Sequence, residues 1–156
     1  GLTIEAEDNL LPALTSDVRG GTLHLSSDRA IRPTRPVRYA VTARRIDQIL
    51  LDGGGAVNAT GIDVDRLRVG LQGGGTLTVA GTALAQDVSL NGAGRYDAAG
   101  LSTRETTLTL NGAGYALVNA TDRLRATLNG VGVVEYLGSP TVDRSINGLG
   151  TVRRKG

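Results

Sequence analysis

From Leu51 onward the chain returns six times to one phrase: an aliphatic residue, then Asn, Asp or Gln, then Gly-x-Gly. The copies begin at Leu51, Leu71, Leu90, Leu110, Leu128 and Ile146, spaced by 20, 19, 20, 18 and 18 residues. A near-constant internal period of this length is the signature of a stacked repeat architecture. Around the phrase the residues alternate as in strands. Val57, Leu77, Tyr96, Ala116, Val134 and Val152 occupy one column. Ala59, Val79, Ala98, Val118 and Tyr136 form the next, until Arg154 breaks it. A small-residue column follows, of Gly61, Gly81, Gly100, Ala120 and Gly138. Between these lie polar residues such as Asn58, Thr78, Asp97 and Glu135, which the alternation turns toward water.

A repeat of about nineteen residues is too short for a βαβ unit or a propeller blade and matches one coil of a β-solenoid. A helical reading fails, because Gly at this density would cost about 1 kcal/mol per residue inside a helix. The fold expected is all-β: a right-handed parallel β-helix with coils of about 18–20 residues, its glycines at the corners. One coil cannot stand alone. Burying roughly four or five aliphatic side chains contributes on the order of 7–12 kcal/mol, whereas ordering the backbone costs about 1–2 kcal/mol per residue. Stacking supplies the missing pairing and burial. Asn91, Asn111, Asn129 and Asn147 would then lie in register, their amides bonding from coil to coil.

The chain has 156 residues, 40% hydrophobic but only 3% aromatic, so the core must be built from Leu, Val, Ile and Ala. Such narrow aliphatic layers suit a solenoid. The length fits a single β-helix domain over 1–156, with 1–50 as irregular first coils covering one end and 51–156 as regular repeats. Within 1–50, Leu2–Ala6, Thr22–Leu25 and Tyr39–Thr42 alternate as strands, while Arg32-Pro33-Thr34-Arg35-Pro36 reads as a loop. At the far end, Arg153-Arg154-Lys155 places three charges on an otherwise exposed edge strand. The sequence contains no Met and reads as a mature or trimmed piece, compatible with the removal of a targeting segment.

The Asn-Gly-x-Gly phrase resembles the repeats of the bacterial head GIN domain family of putative autotransporter adhesins. The opening Glu5-Ala6-Glu7-Asp8-Asn9-Leu10-Leu11-Pro12, followed by Gly21-Thr22-Leu23, resembles the start of that domain. The resemblance covers nearly the whole chain. It implies a pectin-lyase-like β-helix in a bacterial cell-envelope or secreted protein, with adhesion proposed for the family by analogy and no catalytic motif to carry over. Where Ser is frequent between the family's glycines, this chain has Ala93, Ala113, Val131 and Leu149, so no Ser-based role transfers to those corners.

The absence of Cys excludes disulfides and thiolate chemistry, and a single His, His24, excludes a multi-histidine metal site. His24 alternates with Leu23 and Leu25 and reads as an ordinary surface residue. Polysaccharide cleavage needs convergent carboxylates, yet Asp63, Asp65, Asp87, Asp97 and Glu135 fall in different columns, Asp63 and Asp65 alone sharing a strand face. Tyr96 falls in a core column, and Tyr115 remains as a candidate surface ring. A net charge of +2 gives no footprint for nucleic acid, and no apolar run is long enough to span a membrane.

Candidate ligand-binding residues are Arg66, Arg68, Arg123 and Arg125, at comparable places before the phrase, with Arg104 nearby. They would form a basic stripe for an anionic polysaccharide or lipid head group, unless Asp65, Asp122 and Glu105 balance it. The expected function is a non-enzymatic envelope adhesion or interaction module meeting a polysaccharide or an envelope protein, with no cofactor. A degenerate polysaccharide lyase or hydrolase, and a self-associating scaffold, stand as the alternatives.

Overall fold

A computed structural model describes residues 45–155 together with four preceding strands, β1 (Leu2–Glu5), β2 (Leu14–Arg19), β3 (Thr22–Ser27) and β4 (Arg38–Thr42). Eight further strands follow: β5 (Gln48–Asp52), β6 (Ala56–Gly73), β7 (Thr76–Gly92), β8 (Arg95–Gly112), β9 (Tyr115–Gly130), β10 (Val133–Leu137), β11 (Thr141–Gly148) and β12 (Thr151–Arg154). Every regular element among the described residues is a strand. From β3 onward each strand pairs in parallel with the coil after it, so that Leu51 lies on Leu71, then Leu90, Leu110, Leu128 and Ile146. The molecule is a β-solenoid whose stacking repeat is the sequence repeat.

The core follows from the alternation. Val57, Leu77, Tyr96, Ala116, Val134 and Val152 pair in one unbroken file and are all buried. The small-residue column behaves differently from the expected stack. Gly81 pairs with Ile62 and Leu101, and Gly100 with Ala80, because the register shifts after Ala59 in one pair of coils and after Thr78 in the next. The coils differ in length, while the strands on either side of this corner hold their register. The extra residue is therefore taken up at the corner as a bulge.

The turns of the phrase depend on glycine. Gly53, Gly73, Gly92, Gly112, Gly130 and Gly148 all have φ in the left-handed region. A Cβ on Gly112 would lie 2.5 Å from the Gly92 oxygen of the coil below. Immediately before them the Asn ladder is present: Asn111 donates to Asn91 at 2.8 Å, Asn129 to Asn111 at 2.7 Å and Asn147 to Asn129 at 2.9 Å. Each amide thus holds the next coil at the height that the backbone pairing sets.

Polar side chains in the interior escaped the sequence reading. The file through Leu67 continues as Gln86, Thr106 and Leu124, so two polar residues face inward where the pattern calls for aliphatic ones. They are satisfied across the core. Tyr96 donates its hydroxyl hydrogen to Gln86 Oε1 at 2.8 Å, Gln86 Nε2 donates to Thr106 at 3.0 Å, and Thr106 meets Thr103 at 2.9 Å. Thr103 then donates to the Asn119 carbonyl at 2.7 Å. Burial pushes the Tyr96 hydroxyl far above its ordinary pKa, so it stays neutral.

The first strands combine the parallel stacking of β3 on β5 and β4 on β6 with reversed pairings. β1 pairs antiparallel with β4, and β2 pairs antiparallel with β3. Strand β2 was not anticipated. Its signal was available in Gly20-Gly21 between two alternating runs, a pattern that favours a tight hairpin. The parallel ladder is thereby met at this end by reversed strands. The side chain of His24, the proline-containing loop and the Leu10-Leu11-Pro12 stretch lie outside the described residues. At the other end Arg144 takes the place in its file held by Ala126 below, and its guanidinium donates to the Val152 carbonyl at 3.3 Å.

Two stability predictions follow from this packing. Gly112→Ala should lower the unfolding free energy by about 2–3 kcal/mol through strain and the clash with Gly92. Gly74→Ala, where a Cβ meets nothing, should stay within about 0.5 kcal/mol in the same denaturant titration. Tyr96→Phe removes the partner of Gln86 Oε1 and should cost about 1–3 kcal/mol by the same measurement.

Candidate functional site

The side of the solenoid leading into the phrase carries the four arginines singled out above, and the register brings them into two neighbouring columns. One holds Arg66, Ala85, Glu105, Arg123 and Thr141; the other holds Arg68, Asp87, Thr107, Arg125 and Asp143. All four point outward and are exposed. The columns interleave both signs of charge. Arg66 is bound by Asp87 of the next coil at 2.7 Å, and Arg125 lies 3.9 Å from Asp143. Beside them Arg104 and Asp122 approach to 3.6 Å. Pairs this exposed contribute little to stability, but they decide which cations are occupied. Arg68 and Arg123 have no carboxylate partner among the described residues.

At the edge of the same side, a recess of about 480 Å³ is lined by Arg45, Asp47, Asp63, Val64, Asp65 and Arg66. Asp63 and Asp65 do share a face, as the alternation required. No group of three or more metal-ligating side chains occurs among the described residues.

A second cluster stands on the outward face that follows the phrase. Tyr96 is packed inside, whereas Tyr115, one coil on, is the surface ring. The Arg95 guanidinium covers it at 4.3 Å from the ring centroid. The Tyr115 hydroxyl donates to Glu135 Oε2 at 2.6 Å, and Arg153 donates to Glu135 Oε1 through Nε at 2.9 Å and Nη2 at 2.8 Å. Sequence reasoning named Tyr115 but missed its partners. These lie about 20 residues away on other coils, and only the stacking makes them neighbours.

The cluster shifts both ionisations. Partial burial and the bond to Glu135 raise the pKa of Tyr115, and the hydrogen bonds from Tyr115 and Arg153 lower that of Glu135. The raised Tyr115 value means that its contribution to stability is complete below the ordinary value of 10.0 and is lost as pH climbs through the raised one. For Glu135 the contribution is present above the ordinary 4.5 and disappears as pH falls through the lowered value. Thermal melts should therefore weaken toward both extremes. Tyr115→Phe should flatten the alkaline limb, and Glu135→Gln the acid limb.

No helix among the described residues is long and apolar enough to cross a membrane. Comparison with solved structures gives a crystal structure of a putative adhesin from Bacteroides fragilis, 25% identical, covering 99% of this chain and 82% of that one with a TM-score of 0.73. A putative lipid binding protein from Parabacteroides distasonis is 22% identical, with 99% and 84% of the two chains covered and a TM-score of 0.61. A putative adhesin from the same organism is also 22% identical, with 99% and 83% covered and the same score. The last two share the fold. No curated protein matches the sequence. The model of the family described as "Putative auto-transporter adhesin, head GIN domain" matches residues 1–140, nine-tenths of the chain, and the protein belongs to that family.

Proposed function

We propose that this domain is a non-enzymatic adhesion module of the bacterial cell envelope, and that its contact surface is the flat side bearing Arg66, Arg68, Arg123 and Arg125. Membership of the family described as "Putative auto-transporter adhesin, head GIN domain" and likeness to a solved structure described as a putative adhesin support binding as the role. Fold alone does not establish a function, so the site must carry the finer reading. The observation that carries it is the difference among the four arginines: Arg66 and Arg125 are held by carboxylates, while Arg68 and Arg123 are free among the described residues to meet an anionic group. Because stacked coils fix the backbone spacing of these positions, only the arginine side chains need ordering when a partner docks. An acidic polysaccharide lying along the side would reach both free guanidiniums.

Arg68→Ala with Arg123→Ala should weaken retention on immobilised alginate by about tenfold and reduce its salt dependence. Arg66→Ala with Arg125→Ala should have a smaller effect. Melting temperatures should not change, because all four side chains are exposed. Unaltered retention in the first double variant would remove this surface from consideration.

A further inference from the structure

The outward face that follows the phrase breaks the polar-out rule in its later coils. Its first columns carry Ala56, Asn58, Thr76 and Thr78. Farther along, the same columns carry Tyr115 and Val133, then Leu117, and beside them Leu137. Leu117 is only 3% exposed although it lies on an outward column and outside the interior core. The adjoining corner follows the same trend. The residue between the two glycines runs Gly54, Gly74, Ala93, Ala113, Val131, Leu149. Val131 is 57% exposed and Leu149 84% exposed. Their backbone amides donate to Gly112 and Gly130 of the coils below, so the corner is complete without either side chain. Neither contributes to the core.

Cations stand on the same outward columns as Tyr115, Leu117 and Leu137. Arg95 lies over Tyr115, Arg153 is held on Glu135, and Lys155 is exposed without an ion pair among the described residues. Asp97 and Glu135 are the only carboxylates on these later outward columns, so positive charge is in excess. Exposed aliphatic residues at a corner that leads into a face with excess positive charge supply the two features that hold a protein at a lipid surface: apolar insertion and attraction to anionic head groups. A second copy of the chain fits less well, because a symmetric contact would bring the same cations together. We infer that this corner and face dock on an anionic phospholipid surface, with Val131 and Leu149 entering the head-group layer. The side bearing Arg68 and Arg123 is a different surface, so the inference goes beyond the proposed adhesive role.

The test is sedimentation of the full chain with phosphatidylcholine vesicles, with and without phosphatidylglycerol. Binding is expected only when the anionic lipid is present, and it should fall as salt rises. Val131→Ser with Leu149→Ser, a change at two exposed corner positions outside the core cluster, should reduce binding by about tenfold and leave the melting temperature unchanged. Leu84→Ser, at an exposed leucine on β7 beside the Arg66 column, should bind as the parent does. The inference is overturned by no binding to either vesicle, by equal binding to both, or by an equal loss in Leu84→Ser. It is also overturned if light scattering shows a dimer that the corner variant dissociates while vesicle binding is absent. Loss of vesicle binding in Arg68→Ala with Arg123→Ala alone would assign the lipid to the other side.

Discussion

Coil lies on coil in parallel, in register, at the distance of a β-ladder, and the rest of the molecule depends on that contact. The corner glycines show how tight it is. At Gly92, Gly112, Gly130 and Gly148 the backbone of one coil passes so close to the glycine oxygen below that a β-carbon could not be accommodated, and φ there is one that side chains disfavour. Given that approach, identical residues are forced into files. A file of Leu becomes a core, and a file of Asn becomes a chain of amides bonded head to tail. A short coil could not meet the entropy of its own ordering, so the stack is the unit of stability.

The same constraint shapes the interior exceptions. A core of aliphatic files tolerates Gln86 and Thr106 because Tyr96 reaches across to them from another side of the coil. Left without that hydroxyl, Gln86 would be a buried polar group with an open acceptor. No buried side-chain nitrogen or oxygen lacks a partner among the described residues. At the last coil Arg144 and Arg154 replace core residues in their files, and Arg144 bonds to the Val152 carbonyl.

On the outside, stacking sets every charged side chain against those one coil above and below, and this governs what the surface can bind. Arg66 faces Asp87 and Arg125 faces Asp143 because two similar coils place unlike residues in adjacent rows. What the sequence suggests as a basic stripe of four arginines is, in space, a pattern of mixed sign with two of them unengaged among the described residues. The Tyr115 cluster arises in the same way, from one residue in each of four successive coils.

The sequence by itself determined the architecture: the period of the Gly-x-Gly phrase, the strand alternation and the Asn column leave one arrangement in which each residue type is satisfied. It also determined that the columns through Val57 and Ala59 face inward, Tyr96 included, because alternation is a local property of the strand. Tertiary structure alone decided the rest. The reversal of β1 and β2, the bulges that displace Gly81 and Gly100 from the small-residue column, and the partners of Gln86 and Glu135 all depend on distances between coils. Coils of 18, 19 and 20 residues must share one axial spacing. Where the surplus residue is absorbed is settled by packing, and with it which side chains from distant parts of the chain come to touch.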